Sequence, residues 1–172
     1  KRGSDSPRIC VDYRDLNKHT QPVYTTIPTV KDFTRKMHGK KIFSTLDVAA
    51  AYHAIPVHPK SQWKTAFGIR GLGTFQFLVQ PFGLRNAAQV WVSFISHVIG
   101  DLEGVEVYYD DVIIGSDNEE EHLKTLRILF ERFQNEGLSL SIRKCQFARS
   151  EINYLGFIVN KDGVKPDPSR VQ

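Results

Sequence analysis

Residues 105–115 have the sequence Val105-Glu-Val-Tyr-Tyr-Asp-Asp-Val-Ile-Ile-Gly115, in which two adjacent carboxylates separate two short apolar runs. Runs rich in Val, Ile and Tyr are typical of β-strands, and a tight connection between two of them predicts a hairpin. An Asp-Asp pair in a turn is usually simple turn chemistry, because Asp favours turns. Here the apolar flanks predict a hairpin seated on a core, which holds Asp110 and Asp111 beside buried surface.

Those two carboxylates present an electrostatic problem. Adjacent anions repel each other, and their burial costs several kcal/mol unless a cation compensates the charge. Mg²⁺ is the obvious cation, because it takes one or two protein carboxylates together with substrate phosphates. The resulting hypothesis is a magnesium site at the hairpin turn.

Composition and charge are consistent with that hypothesis. The chain has 172 residues, of which 41% are apolar and 24% are charged, as expected for one globular domain or two small lobes. Residues 1–100 carry fourteen Lys and Arg against five Asp and Glu, whereas residues 101–121 carry nine acids and no Lys or Arg. An acidic island in a basic chain suits a metal site within a channel for a polyanion. The run Glu119-Glu-Glu121 is better explained as a helix start, where acids favour the dipole.

Other classes of site and segment find no support. Cys10 and Cys145 are far apart and belong to no zinc or disulfide pattern, which favours a reducing compartment. No apolar run approaches the length of a membrane span, and no signal peptide precedes the first motif. Both ends of the chain are interpreted as cuts within a longer polypeptide.

Periodicity and helix breakers predict an α+β fold. Strands are predicted over 9–14, 41–48, 138–142 and 152–159, a glycine-loop hairpin over 64–79, and helices over 29–38, 86–99 and about 116–136. The predicted N-caps are Thr29, Asn86 and Ser116, the last in a capping box with Glu119. Around the Asp-Asp hairpin the order is a split βαββαβ pattern, in which an antiparallel sheet is covered by two helices on one face.

A third carboxylate, Asp47, ends the first strand of this pattern. Neighbouring strands lie about 5 Å apart, so Asp47, Asp110 and Asp111 are predicted to converge at one edge of the sheet. Two-metal phosphoryl transfer needs such a cluster, with ions about 4 Å apart that clamp the attacking and leaving oxygens.

Seven stretches then make the chain resemble a known family. They are Val11-Asp-Tyr-Arg-Asp-Leu-Asn17, Leu46-Asp-Val-Ala-Ala-Ala-Tyr-His53, Lys64-Thr-Ala-Phe67, Pro81-Phe-Gly-Leu-Arg-Asn-Ala87, Tyr108-Tyr-Asp-Asp111, Lys144-Cys-Gln-Phe147 and Leu155-Gly156. In this order they resemble the motifs of reverse transcriptases, specifically the polymerase of gypsy-type long-terminal-repeat retrotransposons. The likeness covers nearly the whole chain, and the ordered set is far more specific than a single Tyr-x-Asp-Asp box.

The resemblance implies a right-hand polymerase fold and RNA-directed DNA polymerase activity. The implied parts are partial fingers (about 1–22 and 55–86), a palm (23–54 and 87–160) and the start of a thumb linker (161–172). Asp47, Asp110 and Asp111 match the catalytic triad, in which a primer 3′-hydroxyl attacks the α-phosphorus of a deoxynucleoside triphosphate. These residues and the backbone carbonyl of Val48 match the ligands of two Mg²⁺ ions, for which Mn²⁺ can substitute, with Asp111 the more distant.

The resemblance also implies a nucleotide site and a primer site. The matching nucleotide-binding positions are Lys1, Arg8, Ala51, Tyr52, Phe82, Gly83 and Lys144. The matching primer-contacting positions are Tyr108, Tyr109, Leu155 and Gly156. Tyr52 corresponds to the aromatic gate whose ring clashes with a ribose 2′-hydroxyl; without the resemblance, it would be interpreted as a core residue and Lys1 as a solvated charge.

The implied partners are an RNA or DNA template with its primer, and deoxynucleoside triphosphates. Further implied partners are the thumb, connection, RNase H and integrase regions of a parent Pol polyprotein, with no membrane involved. The implied location is intracellular, in a cytoplasmic virus-like particle. Without the thumb, the isolated chain is expected to be weak or inactive.

Several positions depart from the family pattern, including Ala49, Ala50, Ala51, Ala54 and Trp91, and two other functions stay open. Trp91 stands where many relatives carry Phe, and Ala54 follows His53 where relatives usually carry Gln. A catalytically inactive nucleic-acid-binding remnant of a retroelement would share the fold, although it has no reason to keep all three carboxylates. A nucleotide cyclase has a similar palm topology, but Tyr52 and the 81–86 segment match a templated polymerase instead.

Overall fold

The computed structural model describes residues 10–26 and 29–170. Its helices are α1 (Arg14–His19), α2 (Val30–Met37), α3 (Ala87–Ile99) and α4 (Glu119–Asn135), with 3₁₀ helices at Ala51–Ala54, Pro59–Thr65, Ile142–Lys144 and Pro168–Arg170. Its strands are β1 (Ile42–Ala49), β2 (Phe67–Ile69), β3 (Gly73–Phe75), β4 (Val105–Tyr108), β5 (Asp111–Ser116), β6 (Ser139–Leu140), β7 (Gln146–Arg149), β8 (Glu151–Tyr154), β9 (Phe157–Asn160) and β10 (Gly163–Pro166).

The central sheet confirms the predicted split βαββαβ pattern. Its strand order is β4-β5-β1-β6, with β7 also paired to β1, and every pairing is antiparallel. The first strand of the motif thus lies between the second strand of the hairpin and the strand that follows α4. This order places the end of β1 next to the turn of the Asp-Asp hairpin.

Each face of the sheet has its own core. On one face, α3 and α4 pack against alternate apolar residues of β1, β4 and β5, and the buried contacts include Trp91, Leu129, Leu46 and Val112. On the other face, α2 and the three-stranded β8–β10 sheet pack against Phe43 and Ile113. The two predicted helices therefore do cover one face, while a smaller sheet and a third helix cover the other.

The predicted strand over residues 9–14 is wrong in its described part. Residues 10–13 form no strand, and Arg14 begins α1. The Arg14 N–H donates to a carboxylate oxygen of Asp12 at 3.0 Å, a local bond that turns the chain. The Arg14 guanidinium also donates to both Asp12 oxygens and holds the pKa of Asp12 at about 2.

Two of the predicted helix caps are corrected. Asn86 stands at the N-cap of α3, but its side chain bonds to the main chain at Gln21 and Val23 instead of the helix. The cap of α4 is Asn118, which accepts from the Glu121 N–H at 2.9 Å, because Ser116 belongs to β5. Asn86 is not a side-chain cap because tertiary contacts compete for its side chain, whereas Ser116 is not a cap because it belongs to a strand.

The β2–β3 hairpin agrees with the predicted glycine loop, although it is shorter than predicted. Lys64 and Thr65 belong to the preceding 3₁₀ helix. Phe67 stacks on its cross-strand partner Phe75, with ring centroids 6.0 Å apart.

The division of the chain into fingers, palm and thumb linker stays a prediction. Within the described ranges, no helix has both the length and the apolar character needed to cross a bilayer.

A buried polar network joins α4 to the sheet at the end far from the Asp-Asp turn. The His122 side chain is 1% exposed, and its two ring nitrogens lie 2.7 Å from Ser44 Oγ and 3.0 Å from Ser116 Oγ. Ser44 Oγ also accepts from the Ala148 N–H at 3.0 Å. Because neutral imidazole has one donor and one acceptor, it fits between two hydroxyls, whereas the charged form donates from both nitrogens.

This network predicts a loss of stability in acid. Burial lowers the pKa of His122, so its stabilising contribution is present above the unfolded-state pKa and is lost as pH falls below it. We expect His122→Ala to reduce the free energy of unfolding at pH 7.5 by about 2–3 kcal/mol, since two buried hydroxyls lose a partner. The free energy of unfolding, measured with urea, should fall more between pH 7 and pH 5 in the wild type than in the variant.

The control for this prediction is His97→Ala, which removes an exposed histidine from α3. It should change neither the stability at pH 7.5 nor its slope with pH. Equal slopes in the wild type and in His122→Ala would refute the role of His122.

Candidate active site

The carboxylates are brought together by the pairing of β1 with β5. Asp47 lies directly opposite Asp111 in the antiparallel register, so both side chains leave the same face of the sheet. The Val48 N–H donates to the Asp110 carbonyl at 3.0 Å and ties the hairpin turn to β1. The register therefore places all three predicted residues at one end of the sheet.

Two of these carboxylates share a cavity. Asp47 and Asp110 line a cavity of about 220 Å³. The other lining residues come from the end of β1 and the loops beside it, and they are Val48, Ala49, Ala50, Ala51, Tyr52, Phe82, Ser141 and Lys144. The Asp111 side chain is exposed and does not line this cavity.

The aromatic wall of the cavity is formed by Tyr52 and Phe82. Their ring centroids lie 5.5 Å apart with the ring planes at 79°, an edge-to-face contact that fixes both rings. Tyr52 follows a left-handed turn at Ala50, whose φ is 49°. Burial, together with the nearby charge of Asp110, raises the pKa of Tyr52, so the phenol stays neutral beside the carboxylate.

The Lys144 ammonium forms an ion pair with the carboxylate of Asp47. Its Nζ lies 2.8 Å and 3.0 Å from the two oxygens of that carboxylate. The Asp47 side chain is 20% exposed and that of Lys144 is 54% exposed, so water screens the pair and its net stabilisation is small. A basic residue was expected near a triphosphate at this position; here it neutralises an acid of the same cavity.

Two residues that sequence reasoning missed hold the backbone of Asp47. The Asp47 N–H donates to Cys145 Sγ at 3.5 Å, and the Asp47 carbonyl accepts from the Ser141 N–H at 2.9 Å. These contacts fill the gap where the partner of β1 changes from β7 to β6. The sole signal in the sequence was that Cys145 directly follows Lys144 in one motif.

Side chains from outside the hairpin also form hydrogen bonds to the backbone of its turn. Tyr109, its first loop residue, has a φ of 53°, a left-handed conformation that costs a bulky residue about 1–2 kcal/mol. The Trp91 indole N–H donates to the Tyr109 carbonyl at 2.8 Å, and the Tyr154 hydroxyl donates to the Asp111 carbonyl at 3.0 Å. Trp91 was noted in the sequence only as a departure from the family pattern.

The remaining predicted site residues lie elsewhere. Gly83 has a φ of 92°, and an added Cβ there would lie 3.6 Å from the Tyr13 ring. Leu155 and Gly156 form the turn between β8 and β9. None of these three lines the cavity, and neither does Tyr108 or Tyr109. Two further predicted positions, Lys1 and Arg8, lie outside the described residues. Their nucleotide-binding roles stay predictions.

The cavity fits a divalent cation in the number and type of its acids. Among the residues that the structure describes, no three His, Cys, Asp or Glu side chains form a complete group of metal ligands. Mg²⁺ needs no such group, because it takes one or two protein carboxylates and completes its shell with water and phosphate oxygens. Asp47 and Asp110 suit that demand, and Lys144 competes for the Asp47 carboxylate.

Comparison with protein families gives one match, described as "Reverse transcriptase (RNA-dependent DNA polymerase)", over residues 1–159. Two Drosophila melanogaster proteins are similar over 99% of the chain: the retrovirus-related Pol polyproteins from transposon 297, at 36% identity, and from transposon gypsy, at 34%. The Tf2-3 transposon polyprotein of Schizosaccharomyces pombe is 32% identical over 92% of the chain. The chain spans 16% of the length of each Drosophila polyprotein and 12% of the yeast one.

Solved structures with a similar fold include two of the foamy viral protease–reverse transcriptase. One, in complex with double-stranded DNA, superposes with a TM-score of 0.89 at 25% identity, over 98% of this chain and 30% of that one. The other, in complex with an RNA/DNA hybrid, has a TM-score of 0.82 at 27% identity, over 94% of this chain and 22% of that one.

Proposed function

The chain belongs to the reverse transcriptase (RNA-dependent DNA polymerase) family, and we propose that it adds deoxynucleotides to a primer 3′-hydroxyl under the direction of an RNA template. The predicted resemblance to gypsy-type elements is confirmed by the Drosophila relatives, and the predicted polymerase fold by the foamy viral structures. The observation that carries the proposal is that Asp47 and Asp110 line one cavity with Tyr52 and Phe82.

The proposed reaction is nucleotidyl transfer with two Mg²⁺ ions. Asp47, Asp110 and the Val48 carbonyl would hold the ions, with Asp111 as the more distant member of the set. Bound Mg²⁺ would supply Lewis-acid neutralisation of the phosphate charge. The chain itself would place the 3′-hydroxyl against the α-phosphorus, so that the new ester forms as pyrophosphate leaves; catalysis is then mainly positioning and electrostatics.

The ammonium of Lys144 has a second place in this proposal. It forms an ion pair with Asp47, and a metal ion bound at that carboxylate would compete with it. Since Lys144 lines the same cavity, its charge would then lie beside the phosphates of the nucleotide. Arg8 and Lys1 are proposed to contact the nucleotide as well, on the strength of the sequence motif alone.

The proposed partners are a primer–template and deoxynucleoside triphosphates. Support comes from the foamy viral neighbours, which are complexes with double-stranded DNA and with an RNA/DNA hybrid. Because the chain spans a small part of its polyprotein relatives, we propose that it acts within a longer Pol polyprotein, in a virus-like particle. Leu155, Gly156, Tyr108 and Tyr109 are proposed to contact the primer.

Primer extension tests the proposed function. The chain is mixed at high concentration with a poly(rA) template, an oligo(dT) primer, dTTP and Mg²⁺. We expect weak but template-dependent extension that chelation of Mg²⁺ abolishes. Binding of the primer–template without any extension, in a chain that also binds Mn²⁺, would favour a non-catalytic remnant instead.

Tyr52 gives a prediction about sugar selection. Its ring forms one wall of the cavity that holds Asp110, so Tyr52→Val should open space for a 2′-hydroxyl. We expect the preference for dTTP over UTP to fall by about 10²-fold, the scale on which a pocket discriminates by one group. The measurement is the ratio of the two incorporation rates on one primer–template.

Two variants control this experiment. Tyr52→Phe keeps the ring and should keep the preference, while Tyr24→Val removes a tyrosine that is 89% exposed and should change nothing. An unchanged preference for dTTP over UTP in Tyr52→Val would show that Tyr52 does not exclude the 2′-hydroxyl.

A further inference from the structure

The conformation of the Asp-Asp turn depends on the orientation of one peptide. Tyr108 and Asp111 pair as the last rung of the β4–β5 hairpin, so Tyr109 and Asp110 form a two-residue loop. The peptide between these two residues is the element whose orientation differs between alternative hairpin turns. Its carbonyl belongs to Tyr109, and rotation of its plane changes φ of Asp110 and therefore the tilt of the Asp110 Cα–Cβ bond.

Trp91 holds that carbonyl. Its indole Nε1–H donates to the Tyr109 oxygen at 2.8 Å. The Trp91 side chain is 0% exposed and packs in the core of α3 beside Phe94, with ring centroids 5.9 Å apart. A ring packed in this way cannot follow the peptide when it rotates. Rotation would therefore break the hydrogen bond between the buried indole N–H and the Tyr109 carbonyl.

The neighbouring carbonyls are held separately. The Asp110 carbonyl accepts from the Val48 N–H, and the Asp111 carbonyl accepts from the Tyr154 hydroxyl. These bonds fix the far side of the loop and the start of β5. The Trp91 bond acts instead on the central peptide, which lies outside the paired rungs of the two strands.

We propose that Trp91 is a positioning residue, whose indole N–H selects the turn conformation that points Asp110 into the cavity it shares with Asp47. A phenylalanine ring at this position would fill the core but could not donate. The link to metal binding rests on the proposed function, whereas the control of the turn conformation does not.

The two tryptophans of the chain allow a test by NMR with ¹⁵N-labelled indoles. Trp63 provides the internal control, because its N–H donates to the Lys60 carbonyl on a ring that is 66% exposed. We expect the Trp91 indole proton to exchange with solvent much more slowly than that of Trp63, and to shift on addition of Mg²⁺ while that of Trp63 does not. Equally fast exchange of both protons would overturn the proposal.

The matched variants are Trp91→Phe and Trp63→Phe, examined for turn conformation and for Mn²⁺ binding by electron paramagnetic resonance. Trp91→Phe should shift or double the Asp110 amide signal and weaken Mn²⁺ binding by about five- to tenfold, the effect of one lost hydrogen bond. Trp63→Phe should change neither. An unchanged Asp110 amide in a folded Trp91→Phe chain would overturn the proposal, and so would unchanged Mn²⁺ affinity where Asp110→Asn abolishes binding.

Failure of the proposed function looks different in these data. If the wild type and Asp110→Asn bind Mn²⁺ equally, the metal site is wrong, while indole exchange and the Asp110 amide still decide the role of Trp91. If Trp91→Phe does not fold, the shift of the wild-type Trp91 indole proton on addition of Mg²⁺ decides the role instead.

Discussion

Replacing Asp110 by asparagine is expected to lower metal-dependent primer extension by about 10³-fold, which corresponds to about 4 kcal/mol of transition-state stabilisation. The substitution keeps the size of the side chain and removes the charge that would hold the cation. Asp47→Asn should have the same effect, because its carboxylate lines the same cavity. The readouts are extension rate and Mn²⁺ binding, and both variants should lose both.

Asp117→Asn is the matched control for these variants. Asp117 lies just beyond the other end of β5 and has its own lysine partner, with Lys40 Nζ at 3.0 Å. It therefore repeats the loss of a lysine-paired aspartate without touching the cavity, and extension should stay within twofold of the wild type by the usual size of surface effects. Equal extension by the wild type and Asp110→Asn would refute the metal assignment.

Replacing Gly104 by alanine is expected to reduce the free energy of unfolding by about 3 kcal/mol. Gly104 precedes β4 with a φ of 70°, and an added Cβ would lie 2.3 Å from the Gly115 carbonyl oxygen. The left-handed conformation costs alanine about 1–2 kcal/mol, and relief of the clash costs about 1–3 kcal/mol more. The Gly115 N–H donates to the Gly104 carbonyl at 2.8 Å, so relief of the clash also strains that bond.

Gly137→Ala separates the two causes in urea unfolding. Gly137 has a φ of 67°, and an added Cβ would meet nothing within 4 Å. It should therefore lose only the conformational part, about 1 kcal/mol. Equal losses in the two variants would show that contact with Gly115 contributes nothing. A larger loss in Gly104→Ala would show that this contact secures the base of the hairpin that carries Asp110.

Elements with local signals could be predicted from the amino-acid sequence alone. The alternation of Val, Ile and Tyr around residues 105–115 predicted the β4–β5 hairpin, and the helix predicted over 86–99 agrees with α3. The βαββαβ order was enough to place Asp47 beside the Asp-Asp turn, since short connections and antiparallel pairing leave few arrangements. The ordered motifs also identified the family. Each of these inferences depends on spacing along the chain, which the sequence records directly.

The side chains that complete the site could not be identified without the folded structure. Cys145 and Ser141 reach the backbone of Asp47 because the partner of β1 changes there. Trp91 reaches the Tyr109 carbonyl across the core of α3. In both cases a donor meets an acceptor from a distant element, and no spacing rule connects two such residues. The identity of the acids at the turn is therefore a property of the sequence, whereas the direction in which they point is a property of the packed fold.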